Sequence, residues 1–159
     1  MAQVAAFSPY SEGVPRQFQE FQGSLGPQSF EHIPFALRSW RGTFIGPLDN
    51  GGFQQSGRAG QSEHWRIIPV QGRPGNYFIR SWKNKFLCGD NNGNIQQRDV
   101  PKEWEEWTIA HRGNGKFNFR SVAFGTYLTV DHASIKLTAN NKEAEQFEFV
   151  VDSTCAIFA

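Results

Sequence analysis

Cysteine is nearly absent: Cys88 and Cys155 are the two in a chain of 159 residues. A disulfide framework of the sort that staples small secreted domains is not expected, and Asn-x-Ser/Thr is missing as well, so both features suit a reducing compartment. Excess charge is missing too. Sixteen Lys and Arg face fifteen Asp and Glu, a net charge of +1, which creates no broad field for phosphate backbones or an anionic membrane, so nucleic acid is not an expected partner. No apolar run approaches the roughly 18 residues of a membrane span. The opening Met1–Ala6 lacks the basic and apolar regions of a secretory leader, which makes the cytoplasm the expected location, without membrane insertion. Catalytic signatures are also wanting: there is no Gly-x-Ser-x-Gly, His-Glu-x-x-His, Cys-x-x-Cys or phosphate-binding glycine loop. Asp90-Asn-Asn-Gly-Asn94 lacks the spacing and closing Glu of a calcium loop. The expectation is a protein that is not an enzyme, with no catalytic residues, no metal and no cofactor.

What is present is a repeat. Phe35-Ala-Leu-Arg-Ser-Trp40, Tyr77-Phe-Ile-Arg-Ser-Trp82 and Phe117-Asn-Phe-Arg-Ser-Val122 align at a pitch of about forty residues. Each is followed by an apolar pair, Phe44-Ile45, Phe86-Leu87 and Tyr127-Leu128, and then by an acid, Asp49, Asp90 and Asp131. A third segment begins at Phe53, Ile95 and Ile135, and a fourth reads Glu63-His-Trp-Arg-Ile67, Glu105-Glu-Trp-Thr-Ile109 and Glu145-Gln-Phe-Glu-Phe149. Apolar residues alternate within these segments, as in half-buried strands, and turns rich in Gly, Asn and Asp separate them. With 16 glycines and 8 prolines the chain is too punctuated for long helices. One repeat of four short strands cannot bury its apolar face alone, so the three must pool one core. The expected fold is all-β, a β-trefoil of twelve short strands over residues 30–152, with repeats at about 30–71, 72–112 and 113–152. Residues 1–29 form an N-terminal extension, flexible or packed on the barrel, and 153–159 a C-terminal tail.

The middle copy, from Tyr77 through Asp90-Asn-Asn-Gly-Asn-Ile to Glu105-Glu-Trp-Thr-Ile109, resembles the fascin and hisactophilin pattern. That resemblance implies a β-trefoil and a fascin-like actin-binding or scaffolding module with a protein partner. The turns depart from the Gly-Lys of the pattern, carrying Arg41-Gly-Thr, Asn84-Lys and Gly125-Thr, and the histidine-rich loops of hisactophilin are missing.

Candidate site residues follow from these positions. Arg41, Lys83, Lys85 and Lys116 stand at strand ends and loops where a local basic patch suits an acidic partner such as actin, the competing reading being a mixed-charge rim. Asp49, Asp90 and Asp131 follow the second strand, where ricin-type trefoil lectins place a sugar-binding aspartate, so a carbohydrate site is the alternative, with Asn94, Trp40 and Trp82 as further contacts. Turn formation is the heavier reading for the three aspartates. Core packing is the heavier reading for Trp40 and Trp82, with surface binding the other. Trp65, Trp107 and Phe147 belong in the core, and Cys88 is an inert strand thiol. A trefoil-type protease inhibitor is the second alternative. The oligomeric state is open.

Overall fold

The computed structural model describes residues 26–151. Of the expected extension it includes residues 26–29, and the tail after 152, Cys155 among it, lies outside the described residues. The first repeat supplies β1 (Phe35–Ser39), β2 (Phe44–Pro47), β3 (Phe53–Ser56) and β4 (His64–Pro69). The second supplies β5 (Asn76–Ser81), β6 (Phe86–Gly89), β7 (Ile95–Arg98) and β8 (Trp107–Gly113). The third supplies β9 (Lys116–Ser121), β10 (Tyr127–Val130), β11 (Ile135–Thr138) and β12 (Phe147–Val150).

All twelve strands pair antiparallel. β1, β4, β5, β8, β9 and β12 close a ring, because β12 returns to pair with β1, while β2–β3, β6–β7 and β10–β11 form hairpins attached to β1, β5 and β9. Closure leaves no open edge in the barrel. The period-two pattern decides which side chains enter it: Phe35, Leu37, Trp65, Ile67, Tyr77, Ile79, Trp107, Ile109, Phe117, Phe119 and Phe147 are all buried in one cluster with Ile45, Leu87 and Leu128 from the hairpins.

The repeated residues that are not apolar also have structural work. Ser39 and Ser81, buried at the ends of β1 and β5, each accept two backbone N–H groups of the following turn, and Ser121 accepts that of Phe124. Glu63, Glu105 and Glu145 close short 3-10 turns and bend back to accept the N–H of Gly60, Lys102 and Lys142 at 2.8, 2.6 and 2.7 Å. Trp65 and Trp107 donate their indole N–H to the carbonyls of Ile45 and Leu87 at 2.9 and 3.0 Å, fastening a hairpin to the barrel in two of the three repeats. Ahead of β1, a 3-10 turn at Pro27–Phe30 stacks Phe30 on Phe149 at 4.2 Å, and Glu31 accepts the Tyr77 hydroxyl at 2.9 Å. Burial, aided by the hydrogen bond to Glu31 and its charge, pushes the Tyr77 phenol up to about 12.

Candidate functional site: a cleft beside Trp82

The structure corrects the reading of Trp40 and Trp82 as core. Each follows a buried Ser, and the period-two alternation then turns the tryptophan outward, leaving Trp40 40% and Trp82 44% exposed. In the third repeat Val122 takes the same place, with Phe124 nearby in contact with Trp104 at 5.2 Å.

The contacts beside these tryptophans run between repeats. Trp40 donates its indole N–H to the Val130 carbonyl at 2.7 Å, beside Asp131 of the third repeat, and the Gln55 amide donates to the Asp131 carbonyl at 2.7 Å. In the second repeat, Lys83, next to Trp82, reaches Asp49 of the first at 2.5 Å.

The three aspartates have three different roles. Asp90 is buried; its Oδ1 accepts the N–H groups of Asn92 and Asn94 and its Oδ2 the Gln96 amide, an arrangement of turn and strand in which no oxygen faces solvent freely. Burial raises its pKa, but the Asn94 N–H, the Gln96 amide, the Asn92 N–H and the charge of Arg98 together outweigh that and hold it below the ordinary range. Asn94 contributes backbone groups to this turn, its carbonyl accepting from Asp90 at 2.9 Å. Asp131 is exposed, and its Oδ1 accepts from Ala133 and Ser134, which lower its pKa. At Asp49 the turn is formed by Asn50 instead, which accepts the Gly52 N–H, while Asp49 is lowered by its hydrogen bond and charge contact with Lys83.

The four basic candidates are not drawn together. Lys83 pairs with Asp49, Lys85 with Asp99, and Lys116 with Glu148 at 3.1 Å, while Arg41 donates to Gln55 at 3.0 Å. Cys88 is a buried free thiol pushed up to about 11 by burial and by Glu105, against the opposite pull of Arg98. It stays protonated at neutral pH. Among the described residues no three His, Cys, Asp or Glu side chains come together to hold a metal ion, and no helix is long and apolar enough to cross a membrane.

A concavity beside Trp82 combines an exposed aromatic with polar groups. A cleft of about 130 Å³ is lined by Pro34, Gln61, Arg66, Arg80, Trp82 and Asn84, with His64, Trp65 and Ser81 on its inner side. It lies where the first repeat meets the second, on the outer face of the β4–β5 ladder. Asn84 has the left-handed conformation (φ 63°) that Gly42 and Gly125 adopt at the equivalent turns (80° and 70°). Asn tolerates that region, so this turn alone of the three carries a side-chain amide at the position, and it places that amide in the cleft. Of these residues the sequence reading had singled out Trp82; Gln61 and Asn84 stand in turns whose mutual approach only the closed barrel creates.

No protein-family model matches the chain, and no curated protein sequence matches it. Among solved structures, it is similar to SeviL bound to asialo-GM1 saccharide, at 15% identity and a TM-score of 0.65, covering 75% of this chain and 97% of that one. It is likewise similar to a designed threefold symmetric protein, ThreeFoil, at 20% identity and a TM-score of 0.62, covering 74% and 97%. At such identities the likeness is one of fold. The chain is an all-β protein with the β-trefoil fold.

Proposed function

We propose that the protein is a non-enzymatic, carbohydrate-binding β-trefoil whose site is the Trp82 cleft. The observation that carries this reading is the exposed Trp82 ring standing beside the Gln61 and Asn84 amides and the Arg80 guanidinium in one concavity. An aromatic face covers the apolar C–H face of a sugar ring, and amide and guanidinium groups donate to its hydroxyls. The cleft is well below the roughly 300 Å³ of a pocket that encloses a drug-sized ligand. It suits one ring of a larger saccharide lying on the surface. The saccharide bound to SeviL, which shares the fold, adds support.

The fascin-like actin-binding reading and the protease-inhibitor reading have no comparable observation behind them. Lys83, Lys85 and Lys116 each face a carboxylate, which reduces the positive field they offer an acidic filament.

The test is a glycan array with the wild-type protein and Trp82→Ala, with actin co-sedimentation run on the same preparation. Retention of a saccharide that Trp82→Ala loses supports the site. Retention unaffected by that change moves the site elsewhere, and co-sedimentation without glycan retention overturns the carbohydrate reading.

A further inference from the structure

Where the second repeat meets the third, Val100 and Trp104 line an open concavity of about 360 Å³, and Trp104 also packs edge-on against Phe124 at 5.2 Å. Val122 stands in the same turn as Phe124, its N–H held by the Glu106 carbonyl at 3.1 Å. Val100, Val122 and Phe124 are exposed, and Val100, at 60%, is the most open of the large apolar side chains described. Trp104 is half-buried. The core does not call for this set. Counted from the start of β3, β7 and β11, the place of Val100 is held by Arg58 and Asn140 in the other repeats, and that of Trp104 by Ser62 and Ala144. Counted back from the left-handed turn residues Gly42, Asn84 and Gly125, the place of Phe124 is held by Arg41 and Lys83. The same backbone thus accepts polar or small side chains at all three places. Apolar residues gathered at a surface without need of the core mark an interaction site.

Charge around this face narrows the partner. Asp99 is matched by Lys85, and Arg98 is engaged by the Cys88 thiol and the Glu105 carboxylate. Lys102 and Glu103, adjacent and both exposed, form no ion pair among the described residues. The face therefore offers a cation beside an anion, and a hollow at Val100 beside an exposed phenyl at Phe124. A two-fold axis sets a surface against its own copy, so such a surface must hold both members of each complementary pair. This one holds both in charge and in shape. With a net charge of +1, two copies meet without appreciable repulsion.

We propose that a second copy of the chain docks on this face about a two-fold axis, Phe124 and Val122 of each copy entering the concavity at Val100 and Trp104 of the other, with Lys102 of each facing Glu103 of the other. Aromatic and aliphatic side chains then fill the centre and charges form the rim, the usual anatomy of a protein interface. None of these residues lines the Trp82 cleft, so the dimer carries two such clefts. On the carbohydrate reading, on which the dimer itself does not depend, it is a bivalent saccharide binder.

Sedimentation equilibrium of the full chain from about 1 to 100 μM, a range that brackets micromolar association, reads the oligomeric state. The mass is expected to rise from 18.0 kDa toward twice that value and to stop there. Val100→Arg and Trp104→Ser install the residues that the first repeat carries at those places, and each is expected to weaken the dimer about ten-fold or more. Val100→Arg, at the more exposed position, should keep the wild-type melting temperature. Glu103→Lys should also weaken the dimer, and adding Lys102→Glu should restore it, because the exchanged charges still meet across the axis. A chain that stays at 18.0 kDa throughout overturns the proposal. So does a dimer that Val100→Arg leaves intact, since it uses another face. Mass that climbs past two copies reports head-to-tail growth and overturns the two-fold arrangement, as does a double variant that associates no more tightly than Glu103→Lys.

Discussion

The indole N–H of Trp40 donates to the backbone carbonyl of Val130 at 2.7 Å, joining the first repeat to the third. One edge of the ring is thereby held at the surface while much of the side chain stays open to solvent. Trp40→Phe keeps the ring and deletes the donor. A neutral hydrogen bond of this kind contributes about 1 kcal/mol, so the variant is expected to melt about 2–4 °C lower. Its saccharide binding should match wild type, because the Trp82 cleft draws no residue from that corner. Thermal unfolding alongside the glycan titration checks both halves.

Trp65 and Trp107 make a corresponding bond inside the core, to the Ile45 and Leu87 carbonyls, where no water can replace the lost donor. Trp65→Phe and Trp107→Phe should therefore each cost more than Trp40→Phe, about 1–3 kcal/mol for the stranded carbonyl with some packing loss besides. The third repeat already has Phe147 in this place, where it packs edge-on against Phe119 at 5.7 Å. Urea unfolding of the two single variants measures the difference.

Much of the fold was legible because its determinants are local and tripled. Alternation marked Trp65, Ile67, Ile79 and Phe119 as inward, and the pitch of the Arg-Ser pairs gave the repeat. The turn-forming role expected of the aspartates holds at Asp90 and Asp131, where each carboxylate accepts N–H groups just ahead of it in sequence. It fails at Asp49 because Asn50 is positioned to take the turn, leaving the carboxylate to Lys83. The site was far less legible. Trp40 lies close in sequence to Asp49, yet the fold sets it beside Val130; such contacts between repeats have no sequence periodicity to reveal them. Residues 66, 108 and 148 differ as Arg, Thr and Glu in an otherwise regular alignment, but the residue each one faces is fixed by the barrel ladders.

Gly46 shows how the repeats diverge under one backbone. At the equivalent place the second repeat has Cys88 and the third Thr129, whose hydroxyl donates to Glu145 at 2.5 Å. A Cβ on Gly46 would lie 2.7 Å from the Ser62 carbonyl oxygen and 3.0 Å from Glu63 Oε2. Backbone there cannot yield as a flexible side chain would. Gly46→Ala is expected to destabilise the protein by about 1–3 kcal/mol, the usual cost of overpacking, although alanine is smaller than either counterpart. A thermal or urea unfolding curve unchanged by the substitution would show that the β2–β3 hairpin can move away from the Gln61–Glu63 turn.

The pH dependence of stability should come in part from Asp90 and Glu148. At Glu148 burial raises the pKa, but hydrogen bonds and charge contacts with Arg38 and Lys116 outweigh it and hold the carboxyl below its ordinary value of 4.5; Asp90 is lowered by its turn donors. A carboxyl with a folded-state pKa below its unfolded one adds stability that is complete above the unfolded value and is lost as pH falls through the folded one. The melting temperature is therefore expected to hold from neutral pH to about pH 5 and to drop below it, with other carboxylates contributing to the same fall. Glu148→Gln and Asp90→Asn should be less stable than wild type at pH 7, and the deficit should shrink toward pH 2 as the native carboxyls take up protons. For Asp90→Asn part of the deficit should persist at low pH, because an amide nitrogen opposite the Gln96 amide sets donor against donor. A constant deficit for Glu148→Gln across the whole range would instead show that its charge contacts with Arg38 and Lys116 do not contribute to stability.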